Sequence, residues 1–267
     1  MIRNPAVAGY FYPGDPDRLN KELKSYIGEP IEAKKAAGIV SPHAGYIYSG
    51  MVAGRVYSAV SVPDCVVVLG PNHTGIGSEA AIISEGKWII PGGEIDIDTE
   101  FAKLLKKNSS TLKEDHSAHK KEHSLEVQVP FLYYKNKNFK IVPVCLAGRS
   151  LKFCEEIGNA IAETIMQSGR ETLIVASTDM THYESHETAK KMDMLVIEEI
   201  KKLSPEGLYN TVAKNEITMC GVIPTTSMLI AVKKLGAKQA DLILYQTSGD
   251  VSGDYSRVVG YAGMALW

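Results

Sequence analysis

The chain has no surplus of positive charge: 29 Lys and Arg stand against 31 Asp and Glu, for a formal net charge of −2 over 267 residues. Nucleic acids and anionic membrane surfaces are held by clustered Lys and Arg, so neither is an expected partner. Long apolar runs are missing as well. The longest, near Cys65 to Leu69, is far shorter than the roughly 20 residues that cross a bilayer. The opening MIRNPAVAGYFYPGD lacks the basic-then-apolar pattern of an export signal, and a cytoplasmic location is expected. Cysteine is sparse and scattered. Cys65, Cys145, Cys154 and Cys220 show no CxxC spacing, which argues against a structural zinc finger and against a disulfide scaffold. No Ser/Gly-rich linker, charge block or internal repeat divides the chain, so a single domain over residues 1–267 is expected.

What the chain does have is apolar content, 45% hydrophobic residues, enough for a substantial core. Short β-branched runs recur: AGIV at 37–40, CVVVL at 65–69, KIVPVCL at 140–146, TLIVAS at 172–177, DLILY at 241–245 and SRVVGYAGMAL near the end. Continuous apolar strands of this kind are buried on both faces. Between them lie helical patterns, including PDRLNKELKSYI, DTEFAKLLKKN, HSLEVQVPFLYY, LKFCEEIGNAIAETIMQ, the stretch from Glu184 to Lys202, and TTSMLIAVKKLG. The alternation predicts an α/β fold with helices on both faces of a central sheet. Residues 80–98, alternating around Pro-Gly-Gly, predict an antiparallel hairpin and hence a mixed sheet. The polar stretch 104–123 predicts a long surface loop.

Polar residues fall in a pattern relative to these strands. GIV is followed by SPHAG, VVVLG by PNHTG, and LIVAS by TDMTH, so three strands deliver histidine at their carboxyl ends, the edge where open α/β sheets bind ligands. In S-P-H-A-G, Pro42 restricts the residue before it and Gly45 permits a tight turn, which holds His43 on a rigid corner. A lone buried histidine often just bonds a carbonyl. His73 in the same context raises the functional reading.

Asp179 and His182 are three residues apart, and a carboxylate near an imidazole can fix its tautomer and raise its basicity. Asp179 could equally cap the helix that follows. Cys220, in a helix-entry loop, is either a thiolate of lowered pKa that binds metal or attacks electrophiles, or a buried inert thiol. Cys65, Cys145 and Cys154 lie inside apolar patterns and fit the inert reading. His116, His119 and His123 are spaced i, i+3, i+7, with Glu126 following. The first two are set among lysines and are expected in solvent, whereas His123 opens an apolar helix and is the one placed in the cavity.

Taken together, A-G-Y-F-Y-P, S-P-H-A-G-Y-I-Y-S-G, V-L-G-P-N-H, K-E-H-S-L-E-V-Q-V-P-F-L, S-T-D-M-T-H-Y, M-C-G and G-D-x-S-G-D resemble the Memo-like family across essentially the whole chain. The resemblance implies a fold like class III extradiol dioxygenases, whose non-haem iron is held by two histidines and a carboxylate at one end of a mixed sheet. It implies His43, His73 and Cys220 as metal ligands, with Asp179, His182 and His123 around them as catalytic groups. The thiolate departs from the dioxygenase pattern. Family members have been regarded as phosphopeptide-binding proteins and as iron- or copper-binding redox proteins.

Three functions follow as expectations. The first is a metal-dependent oxidoreductase, Fe2+ foremost with Cu or Zn2+ as alternatives, in which His182 oriented by Asp179 is the acid or base. The second is a metal-free scaffold whose cleft receives a peptide or small-molecule ligand. The third is a metal-independent enzyme with Cys220 as nucleophile and a histidine as base.

Overall fold

The computed structural model describes residues 1–29 and 32–267. A short strand β1 (Ile2–Arg3) precedes helix α1 (Pro16–Ile27), where Asp15 accepts the Arg18 N–H at 2.9 Å, Pro16 opens the first turn and Gly28 ends the last. Then come β2 (Gly38–Ser41), α2 (Tyr46–Ala59), β3 (Cys65–Pro71), β4 (Ala80–Ile82), β5 (Lys87–Ile90), β6 (Gly93–Asp96) and α3 (Thr99–Asn108). The middle of the chain holds β7 (Lys113–Glu114), α4 (Ser117–Lys120), a 3-10 turn (Glu126–Gln128), α5 (Val129–Lys135), β8 (Lys140–Leu146) and α6 (Leu151–Ser168). It closes with β9 (Thr172–Ser177), β10 (His182–Glu184), α7 (His186–Lys201), α8 (Pro205–Lys214), α9 (Val222–Lys234), β11 (Ala240–Thr247), α10 (Gly249–Ser252) and β12 (Val258–Leu266).

The main sheet runs β10-β12-β2-β9-β3-β8-β4-β7, with β11 on the other side of β12. Strands β2, β9, β3 and β8 are parallel neighbours, while β12 and β4 pair antiparallel to β2 and β8. The expected mixed sheet is therefore present, and every residue of β2, β3 and β9 is buried. Continuous apolar runs suit that position because helices cover both faces. Helices α1, α2 and α5 pack together on one side, and α3, α6 and α9 on the other, with α7 and α8 extending the α9 side. Gly54 is required where α1 crosses α2: a Cβ there would stand 2.5 Å from the Tyr26 backbone carbon.

Two expectations are corrected. Residues 80–98 are not one hairpin. Only β5 and β6 form it, in a separate three-stranded sheet with β1, while β4 joins the main sheet. Residues 104–123 are not a loop in solvent: they finish α3 and form β7 and α4, and Ala118, His119 and Glu122 are buried. His119 lies edge-on to Trp88, with its Nε2 3.2 Å from the Ala81 carbonyl. The lysines that suggested exposure, Lys113 on β7, Lys120 at the end of α4 and Lys121 just after it, do face solvent.

Candidate metal centre

His43, His73 and Asp179 each stand two residues beyond the end of a parallel strand, β2, β3 and β9. These strands are adjacent in the order β2-β9-β3, so the three side chains leave the sheet at one edge. The register pairs Ser41 with Ser177, and two residues on, the Asp179 carboxylate accepts the backbone N–H groups of His43 at 2.7 Å and Ala44 at 3.3 Å. Asp179 thus caps the His43 turn rather than orienting an imidazole. Burial pushes its own pKa up to about 6 despite those bonds.

The tautomer of His43 follows from its neighbours. The Ser177 hydroxyl gives its proton to the Ser124 carbonyl at 2.6 Å and accepts from Gln128 Nε2 at 2.8 Å. Its 2.9 Å contact with His43 Nδ1 must therefore be donated by the ring, which leaves the Nε2 lone pair facing the cleft. His73 is set the same way, because its Nδ1 meets Glu122 Oε1 at 2.9 Å and a carboxylate only accepts. Glu122 also accepts the backbone N–H groups of His73, His123 and Ser124. Burial alone would raise the Glu122 pKa, but the His73 bond and the Ser124 N–H outweigh it and bring it down to about 2.

His123 completes the group. Its ring stacks on His73 at 4.6 Å between centroids and stands edge-on to His43 at 5.4 Å, and one ligating atom from each of the three lies within 4.8 Å of the others. The His123 turn is held from below by the N-terminal segment. Buried Arg3 donates to the carbonyls of His119 and Glu122 and forms a 2.7 Å ion pair with Glu126, off the line of a hydrogen bond. Glu126 in turn accepts from the Ala6 and Val7 backbone and from the Tyr12 hydroxyl, and Phe11 packs against the His123 ring. The expected helix over HSLEVQVPFLYY begins only at the 3-10 turn, so His123 and Ser124 lie in the turn before it.

Burial, and then the charge of neighbouring histidines, hold His43 well below the ordinary imidazole pKa, and burial lowers that of His123. Both are neutral at pH 7 and offer lone pairs. Cys220 Sγ lies 3.2 Å from His43 Nε2 and accepts the Asp179 N–H at 3.2 Å. Burial, and next the Asp179 charge, push its pKa up, so without a metal beside it the group is held as a thiol that can donate to His43.

His182 lies on β10 at the rim, fixed not by Asp179 but by Thr218, whose hydroxyl oxygen and carbonyl accept from its N–H at 2.7 Å and its Nδ1 at 2.9 Å. His116 and His119 stay outside the cluster. Cys65, Cys145 and Cys154 are free and buried in the core. The residues that sequence reasoning missed are Glu122, Ser177, Gln128 and Thr218. Only Glu122 carried a signal, by standing next to His123 in K-E-H-S.

The donor set fits a transition metal: His43 and His73 present Nε2 lone pairs with their Nδ1 protons fixed by partners, His123 offers a third ring nitrogen within reach, and a sulfur lies beside them. Fold and site together define a layered α/β protein with a candidate metal centre at the carboxyl edge of its parallel strands. The chain belongs to the Memo-like protein family, whose model matches residues 3–265. It is 45% identical to a MEMO1 family protein of Methanopyrus kandleri, with 100% of this chain and 99% of that protein covered. Comparable relatives occur in Methanosarcina mazei (44%) and Nitrosopumilus maritimus (41%), each covered over 99% of both chains. The fold is also that of an uncharacterized protein from Escherichia coli K12, with a TM-score of 0.57 at 11% identity over 85% of this chain and 98% of that one.

Proposed function

We propose that this protein is a metal-dependent oxidoreductase of dioxygenase-like design, with His43, His73 and His123 as nitrogen ligands and Cys220 as a sulfur donor beside them. The observation that supports it most is the convergence of three imidazoles, His43 and His123 held neutral, at one edge of the sheet. A mixed nitrogen and sulfur set suits iron, copper or zinc, and the resemblance to the dioxygenase-like fold puts Fe2+ first among them. A bound iron would supply one-electron redox chemistry and open positions for oxygen and substrate. The chain's own groups have separate tasks. Glu122 and Ser177 hold the ring tautomers, Asp179 holds the His43 turn, and His182 at the rim gives or takes the substrate's proton through Nε2.

A Cys/His enzyme without metal is the second reading, favoured by the 3.2 Å Cys220–His43 contact. The raised thiol pKa weighs against it. The test is elemental analysis of protein purified without added metal, then anaerobic titration with Fe2+, Cu+ and Zn2+, followed by oxygen uptake. One equivalent bound by the wild type and none by His43→Ala supports the centre. If the wild type binds no metal at micromolar concentration, the centre is wrong, and a metal-free scaffold or Cys/His enzyme takes its place. Co2+ substitution separates the donor sets, since a sulfur-to-metal charge-transfer band that disappears in Cys220→Ser assigns the thiolate.

A further inference from the structure

Beside Cys220 the sheet edge opens into a cavity of ≈ 440 Å³, within the range of small-molecule sites (about 300–1,000 Å³). Its wall is mostly apolar: Leu146 at the end of β8, Val212 on α8, and Ile223 and Pro224 in the first turn of α9. Among the described residues one charged side chain lines it, Arg149, and no acidic side chain does. The Tyr209 hydroxyl donates to the Arg149 carbonyl at 2.7 Å, which ties the loop carrying this arginine to α8. Cys220 is thus shared, lining the cavity on one side and touching His43 Nε2 on the other.

We infer that this cavity binds a small organic carboxylate with a hydrocarbon body, its anionic end on Arg149 and its apolar body against α8 and α9, reaching toward Cys220. The inference rests on the proposed metal centre only in calling this ligand the substrate; the binding site itself stands on the cavity. An apolar wall with one guanidinium selects such a molecule on two grounds. Hydrocarbon leaves water at about 25 cal/mol per Å² buried, and a planar guanidinium matches one carboxylate through two parallel N–H donors. A phosphate dianion would call for more than one cation. A cationic ligand would find no carboxylate among the described lining residues, and a polyhydroxylated one would find a wall that is mostly apolar.

The test compares 4-phenylbutyrate, 4-phenylbutanol and 4-phenylbutylamine by saturation-transfer NMR and calorimetry on the full chain. The carboxylate should bind at least tenfold more tightly than the alcohol, and the amine should not bind. Arg149→Gln should bring the carboxylate to the affinity of the alcohol, while Ala213→Trp, from an exposed position on the cavity wall, should weaken both. Equal binding of acid and alcohol, or acid binding unchanged in both variants, overturns the inference. The His43→Ala protein separates this result from the metal reading. Loss of metal with retention of 4-phenylbutyrate leaves the cavity assignment standing, and loss of the acid with retention of metal removes it. In Co2+-loaded wild type, 4-phenylbutyrate should shift the visible spectrum; a spectrum unmoved at saturation would place the ligand away from the centre and overturn its role there.

Discussion

Glu122 concentrates the site's chemistry into one carboxylate: it is buried, accepts one ring nitrogen and three backbone N–H groups, and sets the tautomer of His73. Glu122→Gln keeps the shape but removes the charge that makes Nδ1 a donor. Metal affinity should fall about 10–100-fold, as for other carboxylate partners of metal-binding histidines. Calorimetric titration with Zn2+ checks it, and an unchanged dissociation constant would show that His73 is set some other way. His119 behaves differently although it is only three residues from Glu122. Burial first, and then the Arg3 charge, bring its pKa down to about 3 from an ordinary 6.5. The unfolded chain therefore binds a proton below pH 6.5 that the folded chain refuses until about pH 3. This contribution to stability is complete above 6.5 and is lost as pH falls through that window. Between pH 6.5 and 4 the loss amounts to about 3 kcal/mol. Urea unfolding at pH 7, 5 and 4 should show a shallower decline for His119→Gln than for wild type, and parallel slopes would refute the assignment.

At the scale of elements, the centre depends on how closely the loop between α8 and α9 approaches the end of β9. Gly221 makes that approach possible: a Cβ there would lie 2.5 Å from the Ser177 carbonyl oxygen and collide with Thr178, whose hydroxyl oxygen accepts the Gly221 N–H at 2.9 Å. Gly221→Ala must lift the loop and move Cys220 from His43. We expect a loss of about 1–3 kcal/mol, the usual cost of overpacking, together with weakened thiolate absorption in the Co2+ protein. A variant as stable as wild type with an unaltered spectrum would show that the loop does not set the sulfur. The same elements mark what was legible in the sequence. KIVPVCL and TLIVAS match β8 and β9 in full, because strands buried on both faces read as unbroken apolar runs between polar ends. The 104–123 stretch misled because its lysines face water while Ala118, His119 and Glu122 turn inward, and a helix of only four residues has too short a period to read.

At the scale of the whole molecule, three strand-end motifs announced one edge. What the sequence could not supply was the order β2-β9-β3, which alone decides that His43, Asp179 and His73 are neighbours. Nor could it supply the N-terminal segment that holds the His123 turn, since Arg3 and Glu126 are joined only by the fold. Because the sheet is held by apolar burial on both faces, the site is preformed, and metal should add stability without being needed for folding. Binding to the native state alone contributes RT ln(1 + [L]/Kd), about 2.7 kcal/mol at one hundred times Kd. In a chain of this size that is a rise in Tm of about 5–10 °C. His43→Ala also loses a buried hydrogen bond to Ser177, so its Tm should fall somewhat even in chelator. The decisive quantity is consequently the difference of differences: the metal-induced rise in wild type minus that in His43→Ala, measured by calorimetry with Fe2+ under argon and with chelator. A ligand histidine makes it nearly equal to the full wild-type rise, whereas a purely structural histidine makes it zero, with both proteins shifting in parallel. A zero result would remove His43 from the centre and, with it, the proposed function.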